Sequence, residues 1–319
     1  MEKIIRYYNQ NRRIIWLSIM VIVFALVIIQ LLNSFYAEKK ENNNETLNNN
    51  TNELSTFYEK KSEAMVQGNI TSDEKKKKYA ELVDDFLNKC VNGNPDEAYQ
   101  LLSNDCKELL YPTEKAFEQQ YYSTKFSEKK NYDFQLWSAV DRTYIYLVKI
   151  YNDMLSTGIA STQNYIQDYF SVVQEDNVYK LNISGFVKNT VYGKVAEKDG
   201  ISINVKSKDS YMDYEIYHIK VTNYSDSTIL LDPISEDDTV YIRDDNDIIF
   251  NSMLIEMIED DLLVKQGYTK DIDIKFVRSY TATTEVKTMK FTKIIKNYEK
   301  YLENKEKYED FGVVKIDLK

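Results

Sequence analysis

The sequence predicts an α+β protein in which an N-terminal transmembrane helix precedes two folded domains. Three observations carry this expectation: an unbroken apolar run from Ile14 to Leu32, helical periodicity between residues 72 and 126, and alternation of aromatic and β-branched residues over most of the remaining chain.

The apolar run comes first. At 1.5 Å per residue it spans roughly 28 Å, close to the ~30 Å hydrocarbon core of a bilayer. Lys3, Arg6, Arg12 and Arg13 precede it, whereas Glu38 to Glu41 behind it carry balanced charge. The positive-inside bias therefore predicts a cytoplasmic tail (1–13), a membrane-spanning helix (14–32) in contact with lipid, and an extracellular remainder. A cleaved signal peptide fits less well, because its apolar region is shorter and it ends at a small-x-small site, whereas Phe35-Tyr36-Ala37 is bulky. Residues 33–71 contain the stretch Glu41 to Asn52, nearly devoid of apolar side chains, and are expected to form a flexible Asn-rich linker.

Order is expected from Thr71-Ser72-Asp73-Glu74, which fits a capping box. Tyr79, Leu82, Val83, Phe86, Leu87, Cys90 and Val91 follow at helical spacing, and Asn92-Gly93 stops the helix. Asn94-Pro95 starts a second helix, Cys106 to Leu110 forms a short third, and Pro112-Thr113 opens a segment carrying Phe117, Tyr121 and Phe126. The period then changes to two. Strands are expected over Tyr132–Val140, Tyr144–Leu155, Tyr165–Val173 and Val178–Phe186, with a turn at Gln174–Asn177.

The helix pair Phe86 to Ser103, with its Asp96-Glu-Ala-Tyr-Gln-Leu-Leu-Ser103 segment, and the closing strand Asp176 to Ser184 resemble the NTF2-like (cystatin-like cone) superfamily. The resemblance covers about residues 72–187 and implies helices laid against a curved sheet, within a domain at 72–190. From residue 200 onward short strands recur at sandwich-like spacing: Ile201–Val205, Tyr214–Val221, Ser227–Leu231, Thr239–Arg243, Ile248–Asn251, Thr269–Phe276 and Glu285–Phe291, with a last strand at Val313–Leu318. Ile219 to Leu231, Tyr241 to Phe250 and Leu263 to Phe276 resemble segments of Ig-like (telokin-like) domains of Gram-positive surface proteins. That likeness implies a second domain, an Ig-like β-sandwich with a C-terminal extension, at 198–319.

Composition narrows function. The 319 residues carry a net charge of −10 and no basic stripe, which argues against nucleic acid as a partner. The single histidine, His218, alternates with Ile219 and Val221 and is expected on a solvated strand face. No Ser-His-Asp, Cys-His or His-based metal site can be built around it without a second role-player, and a Cys-only zinc site needs four ligands where two thiols exist. Asp244 to Asp247 lacks the Gly and bidentate Glu of an EF-hand loop and suits a hairpin turn better than calcium. No catalytic residue, metal or cofactor is assigned. Cys90 and Cys106 form a candidate disulfide, whose loop of about 16 residues would contribute roughly 3 kcal/mol; both also suit buried free thiols on helix faces.

The expected function is a non-enzymatic scaffold of a Gram-positive envelope complex. The segment order resembles assembly-core subunits of conjugation and type IV secretion channels, which implies envelope proteins or a second copy as partners. The alternative is a binding module for a small apolar ligand or a cell-wall fragment, with Tyr99, Trp137 and Tyr146 lining the cone.

Overall fold

The apolar stripe Tyr79, Val83, Phe86, Leu87, Cys90 lies at helical spacing and becomes the buried face of α1 (Asp73–Val91). The helix ends where Gly93 adopts φ +81° and Asn94 N–H returns to the Lys89 carbonyl. Helix α2 (Pro95–Gln100) has its proline in the first turn. Ser103 caps α3 (Asn104–Leu110) by accepting from Cys106 N–H at 2.9 Å, and Thr113 caps α4 (Glu114–Phe117) in the same way. A π-turn, Glu118–Tyr122, leads to α5 (Ser123–Lys125).

The computed structural model describes residues 66–67, 73–140, 143–152, 165–234 and 239–319, all of which belong to one compact unit. The helices above cover one face of sheet A, whose order is β1 (Val66–Gln67), β2 (Lys130–Val140), β3 (Thr143–Asn152), β4 (Tyr165–Glu175) and β5 (Val178–Asn182). The β1–β2 pair is parallel and the others antiparallel. Cross-strand rows such as Leu136–Tyr146–Phe170 and Ala139–Tyr144–Val172–Leu181 point into the first core.

Two further sheets form a sandwich around a second core. Sheet B runs β13 (Thr269–Phe276), β8 (Glu215–Asn223), β7 (Ile201–Tyr211), β6 (Phe186–Lys198). Sheet C runs β11 (Ile249–Asn251), β10 (Val240–Asp244), β14 (Val286–Ile295), β9 (Ile229–Leu230), β12 (Leu263–Val264), with β15 (Phe311–Asp317) also on β14. Ile203, Val205, Tyr217, Ile219, Ile274 and Phe276 from sheet B meet Ile242, Met289, Phe291, Ile294 and Ile316 from sheet C.

Several expectations need correction. The α+β assignment gives way to a mainly β protein: helices are concentrated between residues 73 and 125, and most of the other described residues lie in three sheets. The transmembrane helix (14–32), the tail (1–13) and nearly all of the linker lie outside the described residues. Among the described residues no helix is long and apolar enough to cross a membrane, so a membrane-spanning, single-pass architecture has no support here. The expected domain boundary between 190 and 198 falls inside β6, a continuous strand whose Asp199-Gly200 turn has both residues at positive φ (54° and 76°), as a tight hairpin requires.

Strand β6 and its partner β7 belong to both cores. Phe186 and Tyr211 are buried in the first, with rings 5.4 Å apart, while Ile201, Ile203 and Val205 are buried in the second and Tyr192 and Ala196 pack against it. Phe186→Ala is expected to cost about 3–5 kcal/mol and to lower the stability of both halves together, in one urea transition seen alike by near- and far-ultraviolet circular dichroism. Two separated transitions, with only the first shifted, would show instead that the halves fold independently.

Candidate functional site

Between Val205 in the second core and Tyr211 in the first, β7 carries Lys208, Asp209 and Ser210, all buried. Alternation sends Lys208 and Ser210 to the inner face of sheet B and Asp209 to the outer face. Each side meets a complementary group on β8, so a polar belt crosses the sheet where one core gives way to the other.

On the inner face Glu215 is the hub. Its Oε1 accepts from Lys208 Nζ at 2.9 Å and from Arg278 Nη1 at 2.6 Å, and its Oε2 accepts from Tyr217 OH at 3.0 Å. Arg278, from the segment between β13 and β14, also donates from Nη2 to the Thr284 carbonyl and hydroxyl, both at 2.9 Å, and lies over the Phe250 ring. Burial pushes the Lys208 ammonium below its usual range, against the pull of Glu215, and lifts the Tyr217 phenol well above its own.

On the outer face the only histidine sits between two carboxylates. His218 Nε2 lies 2.8 Å from Asp209 Oδ2 and Nδ1 lies 2.7 Å from Asp273 Oδ1; Asn189 Nδ2 donates to Asp209 Oδ1 at 2.6 Å. The hydrogen bond to Asp209, with that to Asp273, outweighs partial burial and raises the imidazole to about 9. With both nitrogens donating, the ring is held as an imidazolium. It is an electrostatic clasp across β7, β8 and β13 and has no free lone pair for a metal or for general-base work. Asp105 of α3 stands close enough to Asp209 for their charges to interact; burial, with Glu108 and Asp209, raises its carboxyl.

From this clasp outward, sheet B presents ordered cross-strand rows. One runs Val191, Ser207, His218, Asp273; the next runs Val195, Asn204, Lys220, Asp271, with Lys206 Nζ 3.3 Å from Asp271. Val191 and Val195 are 80% and 59% exposed. Two aliphatic side chains thus project from an otherwise polar face, beside Ser207 and Asn204 and in the same rows as the charged pairs.

The structure separates the residues singled out in the sequence. Tyr99 and Tyr146 are buried in the first core; the Tyr99 hydroxyl donates to the Tyr111 carbonyl at 2.9 Å, and its ring lies 5.8 Å from Phe117. Trp137 sits at a β2 bulge, is half-buried, and packs edge-on against Tyr169 at 5.9 Å, a residue that alternates with the inward-facing Asp168 and Phe170. The three aromatics do not share a surface. Of the two readings of the cysteine pair the structure shows the buried free thiols, not the disulfide: Cys90 and Cys106 are free and buried, and burial raises both thiols, that of Cys106 to about 12. Asp244 Oδ1 accepts from the N–H groups of Asn246 and Ile248, both at 2.9 Å, so it serves the β10–β11 turn. Among the described residues no cluster of three or more Asp, Glu, His or Cys is arranged to hold a metal ion.

Sequence reading missed Lys208, Glu215, Arg278 and the buried Asp168, which accepts from Tyr121 OH at 3.0 Å and pairs with Lys125. The available signal was a charged residue at an inward position of an otherwise apolar strand. Comparison with protein-family models, with curated proteins and with solved structures found no match, so the resemblances of residues 72–187 and 200–292 gain no support from relatives.

Because the His218 imidazole is held above its unfolded value, its contribution is complete below about pH 6.5 and disappears as pH rises through about 9. His218→Gln should therefore destabilise the protein in urea titrations near pH 6, and the difference from wild type should shrink towards zero by about pH 10. An equal loss at both ends would show that the ring acts by packing alone. The two thiols should resist a thiol reagent in the native protein, and both should react once the protein is unfolded without reductant.

Proposed function

We propose that the chain is a non-catalytic assembly protein that docks a partner protein on the outer face of sheet B. The observation that carries this reading is the exposure of Val191 and Val195 on the same face as charges already paired across strands, His218 with Asp273 and Lys206 with Asp271. Apolar side chains ringed by fixed polar groups give a partner desolvation energy together with orientation. Paired charges keep the surface ordered before contact, which lowers the entropy cost of association. The partner is a subunit of an envelope complex or a second copy of this chain.

The test places a photo-reactive residue at Lys220, in the Val195 row, within the full chain in its native cells. A discrete cross-linked protein is expected. The double variant Val191→Asp, Val195→Asp should retain its melting temperature and lose at least about tenfold in cross-linking, since burial of one valine contributes about 1.5 kcal/mol or more. Absence of any cross-link from Lys220, with a monomer in sedimentation, would sink the proposal.

A further inference from the structure

The inner half of the belt carries more positive charge than its partners neutralise. Lys208 and Arg278 bring two cations to the single Glu215 carboxylate, leaving an excess of +1. Glu215 is 1% and Arg278 3% exposed. The outer half has the opposite imbalance, two carboxylates (Asp209, Asp273) to one imidazolium (His218), but it lies on the far face of sheet B. Lys188 and Glu285, which act on Lys208 and Tyr192, are exposed and of opposite sign. An uncompensated charge at such burial is strongly unfavourable.

Two polar atoms in the same neighbourhood are also unanswered. Arg278 Nε and Ser210 Oγ are buried and find no hydrogen-bond partner among the described residues. Ser210 stands directly opposite Glu215 in the β7–β8 ladder, one inward position from Lys208, and Arg278 reaches Glu215 from the facing segment. Tyr192, whose ring stacks on Tyr217 at 6.2 Å, lies on the β6 side of the cluster. A guanidinium N–H and a hydroxyl, beside an ammonium that uses one of its three protons on Glu215, make a donor set without an acceptor.

We infer that this inner belt binds one small monovalent inorganic anion, of chloride size, through Arg278 Nε–H, Ser210 Oγ–H and the charge of Lys208. The anion brings the buried cluster to neutrality and accepts the two orphan donors. It fastens β7, β8 and the Arg278 segment together, independently of any docking on the outer face.

The measurement is the melting temperature of the full chain in sodium chloride or bromide against sodium gluconate at equal ionic strength. Halide should raise it by about 3 °C at saturating concentration. Lys208→Met leaves the Glu215–Arg278 pair intact and removes the excess charge, so its halide response should vanish. Ser210→Ala, which keeps every charge, should shift the halide midpoint to higher concentration, and bromide-soaked crystals should show an anomalous peak beside Arg278 Nε. Equal melting temperatures in halide and gluconate, or an undiminished halide response in Lys208→Met, overturn the inference; the first result would mean that Lys208 sheds its proton to balance the cluster.

Discussion

The β6–β7 hairpin is the element on which the rest of the structure depends, because it lies in two hydrophobic cores at once. Phe186 and Tyr211 close the bottom of the core beneath the helices, while Ile201, Ile203 and Val205, with Ala196 beside them, build the sandwich. Neither half can bury its apolar surface fully without this pair of strands. Tyr214 and Ile216, at the start of β8, pack against the same first core and widen the shared zone. The protein is therefore held together by continuity of strands, where a linker between independent domains would leave only a modest surface contact.

A strand that passes between cores must cross a zone in which neither supplies apolar partners on every side. The belt occupies that zone. Lys208 and Ser210 point inward, Asp209 points outward, and each charged group finds its counterpart on β8 or beyond. Arg278 extends the inner half to the segment between sheets B and C, where Tyr280 N–H reaches the Met212 carbonyl and its hydroxyl approaches Thr143 of sheet A at 3.4 Å. The segment that carries Arg278 and Tyr280 thereby touches elements of all three sheets.

Much of the local structure was legible because it rests on local rules. The α1 stripe, the proline-led α2, the helical segment opened by Pro112-Thr113 and the turn that ends at Asn177 all announce themselves within a few residues. Strand β6 did not. Gly193, the bulge between Val191 and Lys194, and an edge position that leaves both valines in solvent erase its alternation, so the segment resembles a connector. The Asp199-Gly200 dipeptide was the available hairpin signal. The belt was hidden for a different reason: Lys208–Asp209, Glu215, His218, Asp273 and Arg278 converge only once β7, β8 and β13 are in register, and strand alternation places a single histidine on a face without disclosing which carboxylates await it. The aromatic trio failed in the opposite direction, because the bulge at Trp137 breaks the period that would have grouped it with Tyr146.

The belt also explains why β7 and β8 pair as they do. Successive residues Lys208 and Asp209 carry opposite charges and face opposite sides, and they meet Glu215 on the inside and His218 on the outside. Sliding β7 by one residue would exchange the faces: Lys208 would turn outward beside the His218 imidazolium, and Asp209 would turn inward beside Glu215. Two favourable pairs become two repulsive ones, and one of those lies out of water where repulsion is strongest. Valines and isoleucines in the same places would supply comparable burial without penalising the slip as sharply. Buried charge contributes less to net stability than its short distances suggest, since desolvation offsets most of the attraction. Its effect falls on the alternatives: the hairpin that joins the two cores has one register in which Lys208 meets Glu215 and Asp209 meets His218, and that register is the one that delivers Tyr211 to the first core and Val205 to the second.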